Sequence, residues 1–266
     1  VPKEIVKFIL KDLTYGERGQ KKPDPVLQPI IPISEEQYVI APSVLLSSSP
    51  ERNLLALLNR IPSERKIYSR LKNEKENLMR SNIQTQLSNH GYRFWSGNIP
   101  EKRGLPDVDL AIIDNVEKIC LICELKWFIG PAEIREVVHR SEDITKGIEQ
   151  MRKLINYYSS NRMDLLNLIG LSSDFQIYFT VISENSIGHS SVQDKMISVI
   201  NSSHIIHKLH NGYSLKAITH WLKKREYLPI ENIHFKMRQL PYSIGKWKTN
   251  WSGFEGLVDD SLINHT

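Results

Sequence analysis

Cysteine is scarce in this chain of 266 residues: there are two, Cys120 and Cys123. Two thiols with no further pair exclude a disulfide framework, and none of the usual zinc-motif spacings occurs. The C-x-x-C spelling lies in an apolar, strand-like run. Positions three apart on a strand face opposite ways and cannot share a metal. The expectation is two buried structural thiols in a reducing, cytoplasmic compartment. No apolar run approaches the roughly eighteen residues of a membrane span, so no membrane is expected as a partner. The start, Val1-Pro2-Lys3-Glu4, lacks a secretory layout. It also lacks an initiator Met, so the chain is expected to be trimmed or excised from something longer. Nor is there a strong excess of one charge. Lys and Arg number 35 against 30 Asp and Glu, giving a net charge of +5 and a pI near 9.0. That balance suits a polyanionic partner without deciding for one. Hydrophobic content of 40% and charged content of 24% are ordinary for a soluble globular protein. The length suffices for one large domain or two small ones.

What the sequence does have is the stretch Gly104 to Trp127. Val108 to Ile113 and Ile119 to Trp127 are apolar runs of strand length, separated by a polar break at Asn115 to Lys118 that is short enough for a hairpin. Both faces of each run are largely apolar, so the sheet is expected to be covered on both sides. Alternation along a strand puts Asp107 with Asp109 on one face and Glu124 with Lys126 on one face. A four-residue loop at 115–118 sets Asp109 opposite Glu124; a two-residue loop sets Asp107 there instead. Either way all four charged groups share a side. Two carboxylates about 4 Å apart repel by about 4 kcal/mol at an effective dielectric near 20. One lysine does not offset that, whereas a bound cation does. Oxygen-only ligands suit Mg²⁺ or Mn²⁺ better than zinc. The bland alternative is a surface hairpin whose charged residues are solvated at its edge.

Pro106-Asp107-Val108-Asp109, followed fourteen residues later by Glu124-Leu125-Lys126, resembles the motif of the PD-(D/E)XK nuclease superfamily. The resemblance implies an α/β fold of the restriction-endonuclease-like kind. That is an αβββαβ core, a mixed central sheet flanked by helices, covering roughly residues 72–183. It also implies a divalent-metal-dependent phosphodiesterase acting on nucleic acid, DNA before RNA. Asp109 and Glu124 would hold Mg²⁺, with Mn²⁺ as its substitute. Lys126 would position or deprotonate the attacking water or stabilise charge, and the main-chain carbonyl of Leu125 would be a further ligand. Asp107 fits the dipeptide literally; Asp109 fits the commoner layout just inside the strand and is favoured. Family members often draw another acidic residue from the helix before the hairpin, here Glu76, with Glu74 behind it. A glutamine on the helix after the lysine strand points to Gln150. Both helix positions read equally well as ordinary solvated side chains. A partner chain, an upstream domain and an oligomeric state all stay open. So does a second class of function, a non-catalytic nucleic-acid-binding or assembly module on the same fold.

Elsewhere the pattern is coarser. Residues 1–70 read as an N-terminal accessory segment ahead of a nuclease-like domain over 71–266. A short helix is expected at Val6 to Leu13, a proline-rich loop at Gly16 to Pro32, a strand at Gln37 to Ile40 and a Ser-capped helix from Pro50 to Arg60. Pro23-Asp24 is a second such dipeptide, but no apolar strand follows it. Helix is expected over 64–90, stopped by Gly91, and strand at Tyr92 to Trp95. A long helix from Pro131 to about Tyr158, broken near Gly147, follows the motif. A helix at Met163 to Leu171, strands at Gln176 to Ile182 and Lys195 to Ile200, and helices from Ser202 or Ser203 and from Ser214 complete the pattern. His204, His207, His210 and His220 read as polar helix residues. Lys102 and Arg103 precede the acidic motif and are either phosphate contacts or ordinary loop charge. Residues 236–251 interleave Lys236, Arg238, Lys246 and Lys248 with Tyr242, Trp247 and Trp251. The expectation is a tail packed on the core, with stacking on nucleic acid as the alternative.

Overall fold

The computed structural model describes residues 1–17, 23–35, 37–40, 42, 44, 49–99, 104–131 and 134–257. The fold is mixed α/β. Helix α1 (Lys3–Asp12) precedes a short antiparallel ribbon of β1 (Ile30–Pro32) and β2 (Tyr38–Ile40), then α2 (Pro50–Arg60) and α3 (Arg65–Gln86). β3 (Arg93–Gly97), β4 (Val108–Asp114) and β5 (Ile119–Trp127) follow. Next come α4 (Ile134–Ser160), α5 (Arg162–Ile169), β6 (Gln176–Glu184), β7 (Ser198–Asn201), α6 (Ser202–His210) and α7 (Leu215–Lys224). β3 to β7 form one mixed sheet in sequence order, with β3, β4 and β5 antiparallel neighbours. A separate hairpin of β8 (Phe235–Ile244) and β9 (Trp247–Gly256) closes the described chain. None of the described helices is long and apolar enough to cross a membrane.

Contacts divide the chain into two units. One holds Val1–Thr85, Leu125–Gly147 and Ser183–Val192; the other holds Gln86–Glu124, Ile148–Ile182 and Gln193–Thr266. The first contains a small core of Leu13, Leu27, Ile30, Leu57 and Ile61 around the N-terminal elements. Buried Gln28 ties the turn after α1 by donating to the carbonyls of Asp12 (2.9 Å) and Thr14 (2.8 Å). In the second unit, both faces of β4 and β5 are buried. Leu110, Ile112, Leu121 and Cys123 fill one side and Ala111, Ile113, Cys120 and Ile122 the other, each at most 1% exposed. A strand buried on both sides needs a continuous apolar run rather than alternation, which is why these two segments are legible in the sequence.

Several boundaries fall where local chemistry puts them. Ser49 caps α2 by accepting from the Arg52 amide, and Pro50 occupies the first turn. Ser47 and Ser48 lie outside the described residues. Gly91, at φ 74°, provides the left-handed turn after α3 and its short 3₁₀ extension. Ser214 caps α7 through the Ala217 amide. Other expectations need correction. The proline-rich loop contains strand β1, held by pairing with β2. α4 runs unbroken through Gly147, which is buried in the helix and therefore gives no break. α6 is capped by Asn201, which accepts from the Ser203 amide at 2.9 Å, rather than by Ser202 or Ser203. Residues 236–251 form an exposed hairpin instead of a tail packed on the core.

Candidate metal centre

The turn at 115–118 is built by Asp114. Its Oδ1 accepts from the amides of Val116 (2.8 Å) and Glu117 (3.0 Å), and Lys118 takes a left-handed φ of 56° before β5 begins. An aspartate at a strand end favours this local turn over a further ladder bond. The loop therefore has four residues, and the register pairs Asp114 with Ile119, Ile113 with Cys120 and so on to Leu110 with Cys123. One step further along the same register sets Asp109 against Glu124. The two carboxylates thus sit on neighbouring strands on one face, in the unit Gln86–Glu124.

Their environments differ. Asp107 is exposed and lies ahead of β4, whereas Asp109 is inside the strand and half-buried. Glu124 is 2% exposed. Asp109, Glu124, Leu125 and Lys126 all engage neighbouring groups. A carboxylate at that depth persists only with compensating partners, because desolvation of an isolated charge costs far more than one contact returns. The field of Asp109 is felt at the adjacent thiol. Burial first, then Cys120 and Asp109, push the Cys123 thiol well above its ordinary range. Burial likewise pushes Cys120 up to about 12, against the opposing effect of Arg93. Neither thiol forms an appreciable thiolate at neutral pH. Native protein is expected to resist iodoacetamide at both cysteines, with two alkylations per chain after denaturation, as read by mass spectrometry. Rapid labelling of folded protein would contradict this burial.

Beyond Glu124, strand β5 continues into the other unit with buried Leu125 and half-buried Lys126. Lys126 is two residues past Glu124 and so lies on the same side of the strand. In that unit α3 brings Glu76 to the strand's end, where its Oε1 accepts from the Trp127 amide at 3.4 Å and lies 3.8 Å from Lys72 Nζ. Glu74 instead faces outward, 3.7 Å from Arg70. Among the described residues no three His, Cys, Asp or Glu side chains gather into a group able to hold a metal ion.

Gln150 is half-buried on α4 and engaged with its surroundings. Lys146, earlier on the same face, pairs with Asp143 at 3.0 Å. Lys102 and Arg103 lie outside the described residues. Asp24 of the second dipeptide accepts from the Val26 amide and pairs with Arg60 at 3.0 Å, a turn role. His210 stacks on His90 and its Nε2 lies 3.0 Å from the Gln86 carbonyl, while His207 meets Asn211. A carboxylate missed from sequence is Glu184, which ends β6. Burial raises its pKa, opposed by Lys75 on α3. Its signal was an acid closing an apolar strand, the pattern that also marks Glu124. A cleft of about 450 Å³ opens in the second unit, lined by Leu121, Tyr158, Phe179, Lys195, Lys223 and Arg225 among others. It contains none of the motif's side chains, and Leu121 faces away from Glu124 on the strand.

Comparison with protein-family models, with curated proteins and with solved structures finds no match.

Proposed function

We propose that the chain is a divalent-metal-dependent nuclease that hydrolyses phosphodiester bonds, in DNA before RNA. The observation that supports this reading is the β4–β5 register, which runs as far as Leu110 with Cys123 and, continued by one step, brings Asp109 opposite the almost fully buried Glu124. Strand alternation gives Lys126 the same side as Glu124. Two facing carboxylates at the end of an apolar ladder are a poor structural choice, since their repulsion and desolvation oppose folding. They fit a hard cation, and Mg²⁺ is commonly held by only one or two carboxylates, with water and substrate phosphate completing its shell. A two-carboxylate site is therefore compatible with the lack of a three-ligand group among the described residues. The bound cation would supply charge stabilisation at the phosphate. Asp109 and Glu124 would hold it in register, with the Leu125 carbonyl as a further ligand. Lys126 would orient the attacking water or neutralise charge developing on the phosphate oxygens. Glu76 would act through position: its carboxylate holds the Trp127 amide and so fixes the end of the strand that carries Lys126.

A second reading, a non-catalytic nucleic-acid-binding module, needs no metal ligands at all and is equally consistent with the absence of a three-ligand group among the described residues. Titration calorimetry with Mn²⁺ separates the two. The nuclease reading expects a saturable site in the wild type, lost in Asp109→Asn and in Glu124→Gln. It also expects Mn²⁺ to raise the melting temperature of wild type alone, because a ligand that binds only the folded state stabilises it. No divalent binding by intact protein would favour the module.

A further inference from the structure

We propose that the β8–β9 hairpin is a stacking platform for single-stranded nucleic acid. The register pairs Leu240 with Trp251, Tyr242 with Thr249 and Ile244 with Trp247, so these side chains share one face. Gly245 provides the positive φ of 56° that a two-residue hairpin loop needs at its first position. Every one of the five large side chains on that face is exposed, Trp251 to 65% and Trp247 to 76%. A two-stranded ribbon in water gains nothing from leaving such a face bare, and a contiguous exposed apolar patch marks an interaction surface.

The occupant follows from ring spacing and charge. Along the ribbon, Trp251, Tyr242 and Trp247 succeed one another at two-residue steps of about 7 Å. That is about twice the ~3.4 Å rise of a stacked nucleic-acid strand. One base per ring is accommodated only when the strand is stretched and unstacked, which selects a single strand over a duplex. The hairpin carries Lys236, Arg238, Lys246 and Lys248 against one carboxylate, Glu255, which pairs with Arg238. Aromatic faces with cations beside them grip bases and backbone together. A second copy of the chain is disfavoured because two such cationic ribbons repel. Insertion into a membrane is disfavoured because Lys246 sits in the turn at the tip, where it would enter the hydrocarbon first. The proposal gives the nuclease reading its substrate class and rests on nucleic acid being the partner.

The test is fluorescence anisotropy of labelled oligo(dT) and oligo(rU) with full-length protein in EDTA, where metal-dependent cleavage does not occur. Wild type is expected to bind in a salt-dependent way. Trp247→Ala and Trp251→Ala are each expected to weaken binding about tenfold or more. Lys246→Gln at the tip and Lys236→Gln on the aromatic face should each lower the salt slope by about 0.7. All four positions are exposed, so folding is expected to survive and circular dichroism checks it. No wild-type binding, or undiminished binding by the Trp247→Ala/Trp251→Ala double variant, overturns the proposal. So does an unchanged oligonucleotide affinity in a double variant that loses self-association or binding to phosphatidylserine vesicles. None of these outcomes alters the Mn²⁺ titration at Asp109 and Glu124, so the two readings fail separately.

Discussion

Lys126→Met is expected to abolish most cleavage while leaving Mn²⁺ binding intact. The substitution keeps the apolar stem along β5 and removes the charge. Removing one preorganised electrostatic donor from a water-poor site commonly lowers kcat by about a hundredfold to a thousandfold. Lys126 is half-buried, two residues past Glu124 on the same strand, and engaged with its neighbours. The loss should therefore appear in kcat, with KM for the nucleic acid nearly unchanged. Calorimetry on the same variant should still find the cation site, because Asp109 and Glu124 remain. A Lys126→Met protein that cleaves at the wild-type rate would remove the lysine from the chemistry. One that loses Mn²⁺ binding as well would make it a structural partner of the carboxylates.

Ile112→Ala is expected to cost about 2–5 kcal/mol of stability, the usual range for truncating a buried branched side chain. Ile112 has no exposed surface and pairs with Leu121 on the side of the ribbon away from Asp109 and Glu124. Close packing from both strand neighbours leaves the site little room to collapse, so the cavity persists. Against a typical total of about 5–15 kcal/mol, the loss is large. Urea unfolding should show a lowered midpoint with an unchanged slope. Because the truncation is on the opposite face, the folded fraction should keep its Mn²⁺ site. A shift below about 1 kcal/mol would mean that β4 is not at the centre of the core.

The two strands flanking the polar break and the chain's α/β character were legible because both rest on local rules. Apolar runs of strand length, Ser caps at Ser49 and Ser214 and the stop at Gly91 act within a few residues. The four-residue loop was one of three lengths weighed from sequence, beside two residues and three with a bulge, and the turn hydrogen bonds of the Asp114 side chain accompany it. What sequence missed depended on distant partners. β1 exists because β2 pairs with it, and Ile30 to Pro32 alone resembles a loop. Gly147 suggested a break in α4, yet helix on both sides holds it. The Tyr242, Trp247 and Trp251 cluster suggested a packed tail, since aromatics usually bury. The Gly245-Lys246 turn was the overlooked signal, for glycine at the first loop position marks a two-residue hairpin. Glu184 was hidden for a similar reason: an acid after an apolar strand gains meaning only from its burial in the fold and from the opposing charge of Lys75.

The most direct test of the metal-centre account is incubation of supercoiled plasmid with the wild-type protein in Mg²⁺ or Mn²⁺, beside Glu124→Gln and an EDTA control. The account predicts nicked or linear product with wild type and metal, and none in EDTA. Glu124→Gln should lose at least about a thousandfold in rate, as expected when several kcal/mol of metal-borne charge stabilisation is withdrawn. Wild type that leaves plasmid, linear DNA, single-stranded DNA and RNA all intact in both metals would contradict it, as would cleavage that survives in Glu124→Gln.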